Sequence, residues 1–240
     1  MAMTNAPGDA VTGLLQALAR VQRHHIERNA SPELAQALAH LAAWQSRRLR
    51  NTYADLERSP RYARAMTYFQ SDLYGGADFA QRDADLVRVV PAMRRLLPDS
   101  AIAAVTLAVD LNALSQDLDL LMTSELGSRA TTFSVADYCA AYRRVGRYDL
   151  RRQQIDLIAA VGAALDRLVR KPMLRTALGL MRKPASLAGL SALQDFLERG
   201  FAAFAEMRGA NEFLATIVAR ETAIRDAIFA GSDAPFPEPL

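Results

Sequence analysis

Two aspartates on one apolar helix are the residues of this chain with the clearest capacity for chemistry. Asp110 and Asp117 lie in the segment AVTLAVDLNALSQDLDLLM, and a helix turning about 100° per residue places them within about 20° of each other. Apolar residues flank both, so both carboxylates are expected to face the interior. An ionised carboxylate there is costly unless it is paired or hydrogen-bonded. The two lie roughly 10 Å apart along the axis, so we expect each to have its own partner, in a salt bridge or with a ligand.

The opposite side of the same helix is predicted to face solvent, because its residues are polar. When residues are placed around the other predicted helices in the same way, at about 100° each, several polar residues fall within apolar stripes. This pattern is typical of a pocket lined by polar side chains or of a buried polar network. The predicted solvent-facing residues are Asn112, Ser115, Gln116, Asp119 and Thr123. The candidate polar pocket comprises His25, Gln45, Arg82, Asp83, Asp110, Asp117, Gln154 and Glu221.

Structural roles compete with the pocket for several of these residues. A histidine on an apolar stripe, such as His25, is commonly a hydrogen-bonded core residue. Arg82 and Asp83 fall in the predicted first turn of a helix, where a solvated ion pair is common. Gln45, Gln154 and Glu221 would also suit a subunit interface. For Asp110 and Asp117, a ligand or catalytic role and a structural salt bridge stay equally open.

Complete catalytic signatures are missing from the sequence. It has no His-Glu-x-x-His helix, no Gly-x-Ser-x-Gly elbow and no glycine-rich phosphate loop. Its three histidines never follow a glutamate by three residues, as a ferritin-like di-iron site requires. The sequence therefore predicts no metal site, leaves the cofactor unknown and leaves enzymatic activity open. A haem-oxygenase-like arrangement, with His25 as axial ligand, is the one cofactor alternative.

Composition favours a cytoplasmic protein. Twenty-nine Lys and Arg residues against 26 Asp and Glu give a formal charge of +3, which is too small to indicate nucleic-acid binding. The segment RRVGRYDLRRQQ is arginine-rich, but it supports a helix-turn-helix only weakly. The single cysteine, Cys139, excludes an intramolecular disulfide and suits a reducing compartment. We expect neither a secretion signal nor a membrane-spanning segment.

Apolar residues recur at three- and four-residue spacing almost throughout, and no segment keeps the alternation of a strand. The sequence predicts an all-α, single-domain bundle of about eight to ten helices over residues 9–230, with residues 1–8 and the Pro-rich tail 231–240 flexible. Predicted helix starts follow Ser31, Ser59 and Ser134, and predicted stops fall at glycines. A short helix is expected at 172–182, and a longer one at 187–208.

The segment YFQSDLYGG carries a motif. Its two glycines are expected to end a helix, Asp78 to cap the next one in a capping box with Gln81, and Pro91 to bend it. YFQSDLYG, followed by DFAQRDADLVRVVPAMRRLLP, resembles the bacterial family named for its FFLEELY motif, matching it at Phe69, Leu73 and Tyr74. The resemblance implies a bacterial, all-helical, single-domain protein and implies no activity.

Two functional hypotheses follow. The first, which the missing signatures favour, is a non-catalytic module that binds a protein partner or a second copy of itself, or that regulates. The alternative is a small-molecule-binding or enzymatic bundle with Asp110, Asp117, His25 and Arg82 around a cavity. Neither requires a membrane or nucleic acid.

Overall fold

The computed structural model describes residues 7–69, 87, 88, 90 and 98–237. This part of the chain contains ten α-helices and no strand, which confirms the all-α prediction. In chain order the helices are α1 (Pro7–Asn29), α2 (Pro32–Thr52), α3 (Ala54–Arg58), α4 (Ala63–Tyr68), α5 (Asp99–Leu126), α6 (Val135–Val145), α7 (Tyr148–Val169), α8 (Pro172–Leu187), α9 (Ser191–Glu206) and α10 (Asn211–Phe229).

Caps define several helix ends as the sequence predicts. The hydroxyl of Ser31 accepts a hydrogen bond from the Leu34 amide at 3.2 Å and so begins α2. Ser134 and Asp137 form a reciprocal capping box at the start of α6. At the other end of α6, Gly146 adopts φ 64° in the left-handed region, which costs glycine little.

Three boundaries differ from the sequence prediction. The segment after Ser59 is a turn, in which the Ser59 carbonyl accepts hydrogen bonds from the amides of Tyr62 and Ala63, so α4 begins only at Ala63. Helix α8 continues through Pro184 to Leu187, and α9 begins at Ser191. A proline removes one backbone hydrogen bond, and here the helix on either side persists.

The predicted capping box of Asp78 and the predicted bend at Pro91 lie outside the described residues.

Helix α5 is the central element, since α1, α2, α6 and α7 all pack against it. Together with the turn that follows it, α5 spans Asp99–Arg129, and its most apolar 18 residues have a mean hydropathy of 1.2. Among the described residues it is the one helix whose length and composition would allow it to cross a membrane. This corrects the expectation that no segment reaches that threshold. A helix packed by four neighbours needs apolar residues on most of its sides, and the position of α5 accounts for its composition.

The C-terminal tail packs against the bundle, in a region where the sequence predicts flexibility. Phe236 is 7% exposed, and its ring contacts those of Trp44 and Tyr138 at centroid distances of 5.6 and 6.0 Å. Arg143 binds the tail through the Asp233 carboxylate at 2.7 Å and the Ser232 carbonyl at 3.0 Å. The aromatic cluster around Trp44 is therefore completed by the tail.

Two helical glycines give opposite predictions for substitution by alanine. A Cβ at Gly162 would lie 2.3 Å from Leu214 Cδ2, a buried leucine, whereas a Cβ at Gly179 would meet nothing within 4 Å. We expect Gly162→Ala to destabilise the protein by about 1–3 kcal/mol through overpacking. Gly179→Ala should stabilise it by about 0.5–1 kcal/mol, since it only stiffens the unfolded chain. Urea denaturation of both variants checks the signs, and equal effects would contradict the packing of α7 against α10.

Candidate functional site

A small cavity of about 90 Å³ lies between α2, α6, α7 and α10. The end of α4 and the tail residue Phe236 complete its wall. Three residues of the predicted polar pocket, Gln45, Gln154 and Glu221, line it together. The rest of the wall is mainly isoleucine and aromatic side chains, with three arginines: Arg48, Arg151 and Arg225.

Arg48 and Glu221 form a buried ion pair in this wall. Glu221 Oε1 accepts from Arg48 Nη1 at 2.5 Å and from the Tyr53 hydroxyl at 2.7 Å, and the two charged side chains are only 12% and 13% exposed. Burial disfavours the charge of Arg48, but Glu221 outweighs this effect and raises the pKa of the guanidinium above its usual value. This pair neutralises one of the three cations.

Arg225 is also matched by an anion. Its Nε donates to Asp226 Oδ1 at 2.8 Å and its Nη2 to the Tyr148 hydroxyl at 3.0 Å. The guanidinium also stacks over the Tyr148 ring at 4.4 Å. Arg225 is thus buried, with a carboxylate, a hydroxyl and a ring around it.

Arg151 differs from the other two arginines. It is 5% exposed, and its guanidinium stacks over the Tyr142 ring at 4.4 Å. Its Nη1 donates to Gln154 Oε1 at a long 3.4 Å, and its Nη2 is buried without a hydrogen-bond partner in the described part of the chain. No described carboxylate forms a salt bridge with it. Arg151 is therefore a buried cation whose charge has no direct counter-ion within the described structure.

The side of α5 predicted to face solvent turns toward this site. Asp119 Oδ1 accepts from Gln45 Nε2 at 2.9 Å, and Ser115 Oγ accepts from Gln154 Nε2 at 2.8 Å. Burial raises the pKa of the Asp119 carboxyl, while the Gln45 hydrogen bond and the charge of Arg151 oppose this rise. The prediction that Ser115 and Asp119 form a solvent-facing side was wrong, because α2 and α7 pack on that side.

Asp110 and Asp117 lie elsewhere, at the α1–α5 contact. Arg20 reaches both carboxylates, with Nη1 3.7 Å from Asp110 Oδ1 and Nη2 2.9 Å from Asp117 Oδ2. Asp117 Oδ1 also lies 2.9 Å from His24 Nε2. Their side chains are 38% and 39% exposed, and burial, opposed by Arg20, raises the pKa of Asp110. The two aspartates share one arginine at a half-open interface, whereas the sequence predicts two separate partners.

Of the remaining predicted residues, His25 does not join the cavity. His25 is partly buried on α1 and is absent from the cavity wall. Arg82 and Asp83 lie outside the described residues. A cavity of about 90 Å³ is also far too small for a porphyrin, since benzene alone occupies a cavity of about 150 Å³ in the best-studied case. In the described residues, no group of three His, Cys, Asp or Glu side chains could hold a metal ion.

Sequence reasoning missed Arg151, although a signal was present. Arg151 precedes Ile155 and Ile158 by four and seven residues, which places it on their side of α7. Its place in the arginine-rich segment RRVGRYDLRRQQ instead indicates a solvated surface residue. In the structure that group separates, because Arg143 binds the tail, Arg144 pairs with Glu125 and Arg151 is buried.

Residues 24–235 match the model of a family described as a domain of unknown function, DUF8198. The chain belongs to this family. No curated protein and no solved structure matches it. The three arginines of the cavity and all its other wall residues except Phe236 lie within the matched residues, so nearly the whole site is part of the family's domain.

Proposed function

We propose that this DUF8198 protein is a non-catalytic module that binds a small anion in the cavity next to Arg151. The observation that carries the proposal is the buried guanidinium of Arg151, whose Nη2 has no hydrogen-bond partner in the described part of the chain. A bound anion would provide the counter-charge and accept the unused hydrogen bond.

Energetics support an anion over a purely structural role. Removing a charge from water costs several kcal/mol even after relaxation of the protein. Stacking on Tyr142 returns about 0.5–2 kcal/mol, and the 3.4 Å contact with Gln154 is near the limit of a hydrogen bond. These two contacts and the attraction of the nearby Asp119 carboxyl offset part of the cost, but Arg151 still has no direct counter-ion among the described residues. A buried charge normally has a direct partner of opposite charge, and a bound anion would supply one here.

The chemistry of the wall favours binding over catalysis. Glu221, the carboxylate of the wall, is held by Arg48 and Tyr53. Burial raises the pKa of the nearby tyrosines Tyr138 and Tyr142, so their hydroxyls stay protonated. Burial likewise raises the pKa of the Cys139 thiol to about 11, which keeps this cysteine from acting as a thiolate. The described wall thus offers hydrogen-bond donors rather than a base or nucleophile poised near neutral pH.

Several narrower predictions from the sequence accompany this proposal. Membership of the FFLEELY-motif group, a bacterial source and binding to a protein partner or a second copy stay predictions. We also propose a cytoplasmic location, which the single, buried Cys139 supports. Ligand binding would suit a regulatory role, because the cavity is bounded by five helices and the tail.

Fluorescence of the single tryptophan tests anion binding directly. Trp44 stacks on Tyr138 at 4.3 Å, and Tyr138 lines the cavity, so occupancy should alter its emission. We expect saturable changes on titration with small anions such as acetate and phosphate at constant ionic strength. Ligand at 100 times its Kd should stabilise the fold by about 2.7 kcal/mol, which a thermal melt detects.

Two neighbouring arginines provide the matched comparison. Arg151→Met should abolish the saturable signal, whereas Arg152→Met should keep it. Arg152 is exposed and lies 3.8 Å from Asp156, its nearest carboxylate. An equal response in both variants, or no response beyond that to chloride in the wild type, would contradict the proposal.

A further inference from the structure

Two of the arginines that line the cavity each have one buried nitrogen without a hydrogen-bond partner among the described residues. Arg48 uses Nη1 on Glu221, but its Nε is buried without a hydrogen-bond partner among the described residues. Arg151 has the same property at Nη2. One donor on each of two guanidinium groups matches the two oxygens of a single carboxylate, which accepts charge-assisted hydrogen bonds at both atoms.

Charge balance favours a ligand with one negative charge. Glu221 neutralises Arg48 and Asp226 neutralises Arg225, whereas Arg151 forms no salt bridge with a carboxylate of the described residues. A phosphate would add close to two negative charges at neutral pH, beside Glu221 and near Asp119. A monoanion still pairs directly with Arg151 and adds the smaller negative charge beside Glu221 and Asp119.

The size of the cavity limits the rest of the ligand. Its volume is about 90 Å³, smaller than the roughly 150 Å³ of a cavity that accepts benzene. The ligand should therefore have about four to six non-hydrogen atoms. Ile155, Ile158 and Ile217 form part of the wall, and apolar side chains of this kind favour a hydrocarbon end over a second polar group.

We infer that the cavity binds a short-chain aliphatic monocarboxylate, with its carboxylate between Arg48 and Arg151 and its hydrocarbon end against the isoleucines. This inference rests on the proposed anion-binding function and specifies its ligand. Phe236 of the tail lies over Arg48, with the guanidinium carbon 5.5 Å from the ring centroid. The tail thus covers the carboxylate end of the site.

A chain-length series tests the inference through Trp44 fluorescence and calorimetry. Sodium acetate, propionate, butyrate, hexanoate and octanoate are compared with phosphate and sulfate at equal ionic strength. Each methylene that fits should tighten binding about fourfold, so affinity should rise to propionate or butyrate and fall at hexanoate. Phosphate should bind at least tenfold more weakly than propionate.

An enlarged cavity provides a second readout. Ile217→Ala removes part of the apolar wall and should move the best chain length to pentanoate or hexanoate. If this variant does not fold, the wild-type series decides alone. An unchanged optimum in folded Ile217→Ala would overturn the assigned position of the hydrocarbon end.

The outcomes separate this inference from the proposed function. Phosphate or sulfate binding as tightly as propionate, and lost in Arg151→Met, would overturn the monocarboxylate and leave anion binding intact. Octanoate binding more tightly than propionate would overturn the size limit. Failure of every anion to bind the wild type would overturn both proposals together.

Discussion

Arg151→Met is expected to stabilise the ligand-free protein by about 1–3 kcal/mol, because it replaces a buried charge that has no salt bridge among the described residues by an apolar side chain of similar length. Most substitutions of a 5% exposed residue destabilise a fold, so a gain would be diagnostic. It would mean that the arginine is retained at a cost in stability, as residues at functional sites often are. Urea denaturation in a chloride buffer without carboxylate or phosphate measures the difference.

Arg225→Met is the matched control for this result. Arg225 is also buried at 6% exposure and stacks on a tyrosine at the same 4.4 Å, but it has the carboxylate of Asp226. Its loss should therefore destabilise the protein. If both variants lose stability to the same extent, Arg151 is a structural arginine and the argument for a ligand fails.

Glu221→Gln is expected to destabilise the protein by about 3–5 kcal/mol, because it leaves Arg48 buried without its counter-charge. The glutamine keeps the size of the side chain, so the loss reports on charge and not on packing. The exposed pair Arg64–Glu206 gives the control, since Glu206→Gln should cost less than about 1 kcal/mol. Thermal melts and urea titrations of both variants provide the comparison.

The double variant Arg48→Met/Glu221→Gln separates charge from other causes. Removing both charges should recover most of the stability lost in Glu221→Gln, since no isolated ion then remains in the wall. The Tyr53 hydroxyl, which donates to Glu221, can donate equally to the glutamine oxygen. A double variant as unstable as the single one would show that Glu221 supports the fold in some way other than by pairing with Arg48.

Local signals in the sequence predicted much of the fold. Ser31, Ser134 and Gly146 act within one turn of themselves, so their neighbours in sequence determine the helix ends that they form. The Ser59–Pro60 pair carries the same signal and yet forms a turn, because the Ser59 carbonyl accepts two amides that follow it. The local sequence is compatible with either a helix start or a turn at Ser59, and tertiary contacts decide between the two.

The site was only partly predictable, for a geometric reason. A helical wheel identifies which residues share a side of one helix, and the three residues Gln45, Gln154 and Glu221 that it places within apolar stripes all line the cavity. It does not identify the neighbouring helix that covers each side. Asp119 appeared solvent-facing until α2 was packed against it, and Asp110 appeared interior although the contact between α1 and α5 leaves it 38% exposed.

The position of Arg151 was also not predictable from one helix, because its sequence context indicates exposure whereas the structure buries it. An arginine in an arginine-rich segment is normally solvated, and five arginines within RRVGRYDLRRQQ indicate a surface. Its burial depends on neighbouring helices, which no single stretch of sequence contains. A buried charge without a salt bridge in the described part of the chain is therefore a property of the packed structure.

A crystal structure grown in propionate, with 2-bromopropionate as an anomalous label, tests the central claim most directly. The account predicts carboxylate density within hydrogen-bond distance of Arg151 Nη2 and Arg48 Nε, and a bromine peak among the isoleucines. It would be contradicted if Arg151 were turned out to solvent or contacted only by water at saturating ligand.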